Sequence, residues 1–321
     1  MVMKKILAAV LALCLILSVS AVSLAEPAAK VAALKGPTAM GMVKMMKDDA
    51  GATWDFNIHA AIDEITPLLV KGEVDIAAVP ANLASVLYNN TQGKIKVLAI
   101  NTLGVIYIVE NGETVQSVED LRGRTIYASG KGATPEYAIN YVLSANGIDP
   151  AKDVTLEFKS EHSECLASLL ANEGSVAMLP QPFVTTAHVK QPSVRIALDM
   201  TEEWEKLQEG SENPSAMLTG VVVARADFVE KNPDVVNAFL DTYKTSVAFA
   251  NENVEEAAKI IGEYGIVPEA VAAKALPFCR IVCIDGAEMQ TKLSGYLGVL
   301  FEQNPKAVGG ALPADDFYYS K

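Results

Sequence analysis

Short apolar runs alternate along the chain with longer segments in which apolar residues recur every three or four positions. The short runs predict buried strands, and the longer segments predict helices that pack through one face. Strand and helix patterns alternate up to residue 100, and a second alternating set runs from residue 105 to residue 198. This order predicts an α/β fold in which helices cover parallel sheets.

One helix–strand–loop unit occurs twice. In the first copy, the apolar run 74–79 stops at Pro80, and in the second copy the run 176–179 stops at Pro180. The helical segments before them end in similar letters, TPLLVKG and ASLLANEG. Gly72 is expected to end the first of these helices, because glycine readily adopts the left-handed capping conformation. Two related lobes with matching loops predict a cleft between them.

The last third of the chain has a helical pattern. Four segments with helical spacing follow Pro233, at residues 234–250, 254–264, 269–275 and 289–303. Before them, residues 200–214 are acidic and polar, which predicts a helical turn and a surface loop. Crossovers near residues 101–104 and 219–223 predict one interrupted lobe and one inserted lobe. Lobe 1 is predicted to comprise residues 26–104 plus 223–321, and lobe 2 residues 105–222.

The N-terminus has the features of a secretory signal peptide. Lys4 and Lys5 precede an apolar stretch, and the small residues Ser23 and Ala25 stand where a signal peptidase reads. We therefore predict a signal peptide at residues 1–25 and a protein secreted to the periplasm or to the outer face of the cytoplasmic membrane. A membrane anchor remains the alternative, since the uncharged run 6–25 is long enough to span a bilayer.

Charge and cysteine content narrow the class of protein. A formal net charge of −13 argues against nucleic-acid binding, which needs a basic surface. Once the signal peptide and Cys14 are removed, three cysteines remain, so at least one is unpaired or forms an intermolecular bond. Buried, unreactive thiols are the expectation, and one disulfide is the open alternative. The spacing of the cysteines predicts no metal site. The three are Cys165, Cys279 and Cys283.

Ligands of parallel sheets bind beyond the carboxyl ends of the strands, beside helix N-termini. Four loops occupy such positions in the predicted fold, and two further residues lie at the crossovers, where they either contact the ligand or serve a hinge. The loop residues are Gly36, Pro37, Thr38, Pro80, Ala81, Asn82, Gly130, Lys131, Gly132, Ala133, Thr134 and Gln181, and the crossover residues are Asn101 and Thr219.

The predicted loops offer different hydrogen-bonding chemistry. The sequence Gly130-Lys131-Gly132 before a helix can cradle an anion with backbone N–H groups and the lysine charge. Asn82 and Gln181 offer neutral amides from opposite lobes, although either can simply cap a helix. Asn82 is predicted as the N-cap of the helix that follows Pro80. Thr134, followed by proline, is predicted as an N-cap. Arg280 is a further candidate for contact with an anionic ligand.

Two segments, KGEVDIAAVPANLA (71–84) and SVEDLRGRTIYASGKGATPEYA (117–138), contain the most specific patterns of the chain. With three others they resemble the extracytoplasmic solute-binding proteins of ABC importers, in particular the nitrate/sulfonate/taurine and thiamine-pyrimidine-precursor branch. Together they extend over nearly all of the chain that follows the signal peptide. The resemblance implies a type II periplasmic-binding-protein fold, in which a two-strand hinge joins two α/β lobes around a cleft. The segments are LKGPTAMGM (34–42), KGEVDIAAVPANLA (71–84), SVEDLRGRTIYASGKGATPEYA (117–138), VAMLPQPFVTTA (176–187) and VVVARADFVEKNPDVVNAFL (221–240).

The same resemblance implies a receptor rather than an enzyme. It would capture a small organic molecule, such as a sulfonate, nitrate or a pyrimidine, and deliver it to a membrane permease as a monomer without a cofactor. Two alternatives remain open: a ligand-sensing extracytoplasmic module, and a pyrimidine-precursor enzyme of the same superfamily. The cysteine-rich motif of that enzyme is absent here, and the sequence contains neither GxSxG nor HExxH, so we predict no catalytic residues.

Overall fold

The structure, a computed structural model, describes residues 27–132, 134–211 and 215–321 of the chain. The predicted signal peptide and the predicted site residue Ala133 lie outside these residues. Within the ranges given, no helix combines the length and the apolar character that crossing a bilayer requires.

The described residues form two sheets covered by helices, which confirms the predicted α/β class. The strands are β1 Ala29–Leu34, β2 Trp54–His59, β3 Ile76–Pro80, β4 Ile95–Leu103, β5 Ile106–Asn111, β6 Thr125–Ser129, β7 Thr155–Lys159, β8 Val176–Pro180, β9 Val194–Asp199, β10 Leu218–Arg225 and β11 Ile281–Ile284. The helices are α1 Pro37–Met40, α2 Val43–Asp49, α3 Ile62–Lys71, α4 Ala81–Asn90, α5 Thr134–Ala145, α6 His162–Ala171, α7 Phe183–Lys190, α8 Met200–Leu207, α9 Ala226–Lys231, α10 Pro233–Glu252, α11 Val254–Glu263, α12 Glu269–Ala275 and α13 Gly286–Gln303.

The first sheet has six strands in the order β11–β4–β10–β3–β1–β2. β1 runs parallel to β2 and β3, whereas β10 runs antiparallel to β3 and β4. The parallel strands are joined through helices, so their carboxyl ends meet at one edge of the sheet. The loops after Leu34, His59 and Pro80 therefore lie along the same edge.

The second sheet has five strands in the order β7–β6–β8–β5–β9. β6 runs parallel to β7 and β8, and β5 runs antiparallel to β8 and β9. The neighbouring strands β7, β6 and β8 thus have the same arrangement as β2, β1 and β3 in the first sheet. Its carboxyl edge carries the loops after Ser129, Lys159 and Pro180.

The repeated helix–strand unit is present in the structure with an offset of one hundred residues. α3 and β3 span Ile62–Lys71 and Ile76–Pro80, and α6 and β8 span His162–Ala171 and Val176–Pro180. As predicted, Gly72 ends α3 with a left-handed φ of 77°. The duplication thus places two equivalent loops at the carboxyl edges of two equivalent sheets.

The chain passes between the two sheets twice, and the two connections are neighbours. β4 ends at Leu103 and two residues separate it from β5, while the return runs from β9 through α8 to Leu218. Leu218 is the register partner of Leu103. Residues 218–222, predicted to belong to the second lobe, pair with β3 and β4 of the first sheet.

Three elements differ from the sequence-based expectation. α9 and β11 were not predicted, and the acidic segment after Asp199 forms α8 with two full turns rather than one. β11 is four residues long and pairs irregularly with β4, so it has no clear alternation of apolar and polar residues. In α8, only Met200, Thr201 and Trp204 are buried, and this stripe is too narrow to stand out among the acidic residues.

Two predicted N-caps are wrong because each side chain has a tertiary partner. α4 begins at Ala81, so Asn82 lies inside its first turn, where the amide donates to the carbonyl of Ala307 at 3.2 Å. α5 begins at Thr134 itself, and the hydroxyl of Thr134 lies 2.9 Å from the hydroxyl of Tyr296. Both side chains therefore connect their helices to the C-terminal part of the chain.

The largest buried apolar cluster contains residues of both sheets. It includes Ile100 of β4, Ile126 of β6, Trp204 of α8 and Leu297 of α13. A second cluster packs the first sheet against the C-terminal helices, and a third lies on the second sheet beside α6 and α7. The two sheets are thus joined by a shared core as well as by the two connections.

All three described cysteines are free thiols, so the open alternative of a disulfide is not realised in the structure. Cys165 and Cys279 are buried, and Cys283 is half-buried. Burial raises the pKa of Cys279 to about 12 and the pKa of Cys283 to about 11. Because the thiolate is the reactive species, these thiols are protected against modification near neutral pH.

We expect the three thiols of the chain without residues 1–25 to become reactive only when the protein unfolds. Burial restricts access to the native thiols and holds two of them in the protonated form. The measurement is the rate of reaction with a chromogenic disulfide reagent at pH 8, with and without guanidinium. Immediate reaction of all three native thiols would contradict the buried arrangement.

Candidate ligand-binding site

Predicted site residues of the first sheet meet beside the two connections. Thr38 donates its hydroxyl to the carbonyl of Leu34 at 2.8 Å, and Asn101 donates its amide to the carbonyl of Thr38 at 3.4 Å. A Cβ atom on Gly220 would lie 2.6 Å from Cγ2 of Thr38 and would also collide with Oδ1 of Asn101. Only glycine fits there, so the backbone beside Thr219 approaches both polar side chains closely.

This group carries hydrogen-bonding capacity that the described residues leave unused. Oδ1 of Asn101 and the hydroxyls of Thr102 and Thr219 are buried without a hydrogen-bond partner in the described part of the chain. Asn101 and Thr102 are 0% exposed. Buried polar atoms without partners are costly, so such atoms usually serve a ligand or an ordered water. The three atoms belong to neighbouring residues of β4 and β10, so the unused hydrogen-bonding capacity is concentrated at the crossovers.

The predicted loop after β3 contributes mainly backbone atoms to the candidate site. Pro80 is the register partner of Gly220, which places the start of α4 beside the Thr38 and Asn101 group. Asn82 is 8% exposed, and its amide is engaged with Ala307 as described above. The side chain of Asn82 therefore ties α4 to the C-terminal segment, and the backbone of Pro80 and Ala81 remains next to Gly220.

The predicted glycine loop of the second sheet is hydrogen-bonded to α5, the helix that follows it. Gly130 and Gly132 have φ angles of 77° and 76°, a conformation that favours glycine. The N–H of Gly132 donates to the carboxylate of Glu136 at 2.6 Å. Lys131 is exposed between the two glycines. The loop thus presents one cation at the N-terminus of α5, where the helix dipole also favours an anion.

A polar cluster beside this loop was missed by the sequence analysis. Ser129 ends β6, and its hydroxyl is hydrogen-bonded to Nδ1 of His162 in the first turn of α6. The His162 ring packs 5.1 Å from the Phe183 ring, and burial lowers the pKa of His162. The imidazole is therefore neutral near pH 7. In the described part of the chain, no group of three or more His, Cys, Asp or Glu side chains is placed to hold a metal ion.

The duplicated sequence contained a signal for this cluster. His162 occupies the first position of α6, and the equivalent position of α3 is Ile62. A histidine that replaces an apolar residue in one of two equivalent helices marks a position with a different role. Comparing the two copies position by position would have identified it.

Gln181 directly follows β8 at the carboxyl edge of the second sheet. Its backbone N–H donates to the carbonyl of Val105 at 3.0 Å, so it lies next to one connection between the sheets. Its side-chain carbonyl accepts hydrogen bonds from the N–H and the hydroxyl of Thr185, at 3.2 and 2.8 Å. Gln181 is 2% exposed and stabilises the first turn of α7.

Polar contacts join the two halves of the molecule near the connections. Arg280, beside β11, forms an ion pair with Asp199 at the end of β9, with 2.6 Å between Nη2 and Oδ2. Burial raises the pKa of Asp199 although the Arg280 charge opposes it. The hydroxyl of Tyr107 donates to the carbonyl of Phe278 at 3.0 Å. Arg280, considered above for an anionic ligand, is thus engaged with a carboxylate of the other sheet.

Comparison with known proteins gives one family match and many structural matches. The sequence profile described as "ABC transporter, phosphonate, periplasmic substrate-binding protein" matches residues 38–269. No curated protein matches the sequence. An ABC transporter protein from Parabacteroides distasonis is 26% identical, with a TM-score of 0.76 over 91% of this chain and 99% of that chain.

Two sulfonate-binding proteins share the fold at lower identity. The periplasmic aliphatic sulphonate binding protein SsuA from Escherichia coli is 15% identical, with a TM-score of 0.71 over 91% of this chain and 92% of that chain. The alkanesulfonate-binding protein SsuA from Xanthomonas axonopodis, bound to MOPS, is 14% identical, with a TM-score of 0.62 over 90% of this chain and 96% of that chain.

These matches confirm the predicted periplasmic-binding-protein fold, and they establish the family at the level of the ABC-transporter binding proteins. The matching profile is that of the phosphonate proteins, whereas the sequence segments predicted the nitrate, sulfonate and pyrimidine branch. The profile extends from Thr38 through both sheets to Glu269 in α12. The chain belongs to the family of periplasmic substrate-binding proteins of phosphonate ABC transporters.

Proposed function

We propose that the protein is the solute receptor of an ABC importer and that it captures a small organic oxyanion between its two sheets. The observation that carries the proposal is that the carboxyl edge of each sheet carries a group of hydrogen-bonded polar side chains. The first sheet offers Thr38 and Asn101, and the second offers Ser129, His162 and the loop 130–132. A ligand held by both edges would stabilise closure of the two halves, and the receptor would then deliver it to a membrane permease.

The charges of the described residues favour a ligand with a single negative charge. All five arginines of the chain are hydrogen-bonded within the protein. Bidentate recognition of a doubly charged phosphonate usually requires a free arginine. The second edge instead offers Lys131 and the hydrogen-bonded pair of the Ser129 hydroxyl and a neutral histidine, His162. A sulfonate or another monoanion fits these donors best.

The lobes of the receptor would follow the two sheets. We place the first lobe at residues 27–104 and 218–321 and the second at residues 105–217, because β10 pairs entirely within the first sheet. The adjacent segments at Leu103 and Leu218 would form the hinge. We further propose that the protein acts as a monomer outside the cytoplasmic membrane, with the signal peptide removed after Ala25.

Calorimetry and thermal-shift measurements with alkanesulfonates, alkylphosphonates, nitrate and pyrimidines test this proposal. We expect a monoanion to bind and stabilise the protein. Ser129→Ala should weaken binding by about tenfold, the usual effect of losing one hydrogen bond to a charged group.

Ser163→Ala is the matched control for this experiment. Ser163 lies in the same helix turn as His162 and is exposed, and its hydroxyl donates to the carboxylate of the neighbouring Glu161. Its replacement should leave the affinity unchanged. Absence of stabilisation by every compound, or chemical turnover of one of them, would contradict the receptor function.

A further inference from the structure

The protein has an apolar groove on a face that the candidate site does not use. Six large apolar side chains are exposed in the described part of the chain, and three of them, Val189, Ile196 and Phe278, line this one groove. They are 53%, 38% and 48% exposed. The cavity measures about 660 Å³, within the range of small-molecule sites. Concentration of exposed apolar groups in one cavity indicates a binding surface.

Both halves of the molecule contribute walls to the groove. Val189 in α7 and Ile196 in β9 belong to the second sheet and its helices, whereas Lys274 in α12 and Phe278 come from the other half. The hydrogen bond from Tyr107 to the carbonyl of Phe278 joins the two walls. The groove is therefore preformed in this arrangement of the two halves and would change shape if they moved.

The groove is distinct from the candidate ligand-binding site. Gln181 is the one predicted site residue that lines it, and its polar side chain is already bonded to Thr185. The Thr38 and Asn101 group, the glycine loop and the Ser129–His162 pair do not line it.

The titratable groups of the groove are all basic, in a chain whose net charge is −13. Arg195 is paired with the carboxylate of Glu110, and Nδ1 of His188 bonds to the carbonyl of Val194. Lys274 is exposed at the rim, and no described residue forms an ion pair with it. The groove thus combines an apolar interior with one available cation and no acidic group.

We propose that this groove binds an amphiphilic monoanion, a molecule with an unbranched hydrocarbon tail and a single carboxylate or sulfonate head group. The tail lies against Val189, Ile196 and Phe278, and the head group pairs with the ammonium of Lys274. Because the occupant contacts both halves, its binding favours the arrangement of the two halves seen here. A second copy of this chain is disfavoured as the occupant, since two grooves facing each other would bring two Lys274 ammonium groups together.

Titration of the purified chain with octanoate, followed by calorimetry and NMR shifts of valine and isoleucine methyl groups, tests the proposal. Acetate and 1-octanol serve as comparison ligands that lack the tail or the charge. We expect octanoate to bind more tightly than either. Val189→Asp should weaken octanoate binding by about tenfold or more, since it places charge on the apolar wall. Lys274→Ala should weaken it by about threefold, the scale of an exposed ion pair.

Val70→Asp is the matched control, because Val70 is 54% exposed and occupies in α3 the position that Val189 occupies in α7, one residue before the helix end. Octanoate should bind this variant and Ser129→Ala like the unmodified chain. Equal affinity for octanoate and 1-octanol, loss of binding in Val70→Asp, or a concentration-dependent dimer that masks Val189 would overturn the proposal. Absence of octanoate binding would also overturn it, whatever the result of the ligand screen for the candidate site.

Discussion

Replacing Trp204 with alanine is expected to lower the free energy of unfolding by about 3–5 kcal/mol, the range for truncating a fully buried aromatic side chain. Trp204 is 0% exposed, and its ring centroid lies 4.4 Å from that of Tyr141 and 5.8 Å from that of Tyr296. Its indole N–H donates to the hydroxyl of Ser215 at 2.9 Å. The substitution removes these contacts and leaves a cavity between α5, α8 and α13. Urea denaturation followed by circular dichroism measures the loss.

Trp54 is the control, because it is the other tryptophan of the chain. Trp54 is 3% exposed and packs edge-on against Phe239 at 5.5 Å, within the cluster of the first sheet. Trp54→Ala should cost a similar free energy but leave one cooperative transition. Trp204→Ala should separate two transitions, because Trp204 belongs to the cluster that both sheets share. A single transition in both variants, or a loss below about 1 kcal/mol, would contradict this role.

The duplicated unit explains why much of the fold could be predicted. Strands buried on both faces have nearly continuous apolar sequences. The apolar runs that end at Pro80 and Pro180 could therefore be recognised as strands from the sequence. Gly72 marks a helix end through its backbone conformation alone. β11 has neither signal: it is short, lies at the edge of the first sheet and is held by irregular pairing with β4, a strand far away in sequence.

The candidate site was predictable only as far as it depends on position at strand ends. Thr38 was identified in this way and Asn101 from its position at a crossover, and the structure places the two in contact. The partner of Asn82 is 225 residues away in sequence, so no local pattern could reveal that its amide is engaged. The pairing of Arg280 with Asp199 likewise depends on how the two halves meet. Tertiary contacts, rather than local propensities, decide which polar side chains remain available to a ligand.

Glu110 is a further polar residue whose environment only the structure reveals. It follows the apolar run of β5, and its side chain is 0% exposed. The carboxylate accepts hydrogen bonds from the N–H groups of Thr114 and Val115, at 3.0 and 3.1 Å, and from Arg195 at 2.8 Å. Burial alone would raise the pKa of Glu110, but these hydrogen bonds and the Arg195 charge together lower it.

Replacing Glu110 with alanine is expected to lower the free energy of unfolding at pH 7 by about 3–5 kcal/mol, the usual cost of removing one partner of a buried ion pair. The guanidinium of Arg195 and the N–H groups of Thr114 and Val115 would lose their acceptor. Urea denaturation at pH 7 measures the effect. Glu119→Ala is the control, because Glu119 pairs with Arg122 at the surface and is 63% exposed. Its cost should stay below about 1 kcal/mol.

The pH dependence of stability separates the charge of Glu110 from its packing. The folded protein lowers the pKa of Glu110 below the unfolded value of about 4.3. Its stabilising contribution is therefore complete above that value and is lost as the pH falls through the folded pKa. Glu110→Gln retains the shape but not the charge, so its stability difference from the unmodified chain should shrink as the pH is lowered from about 5 to about 3. A difference that stays constant over this interval would show that the carboxylate charge does not stabilise the folded chain.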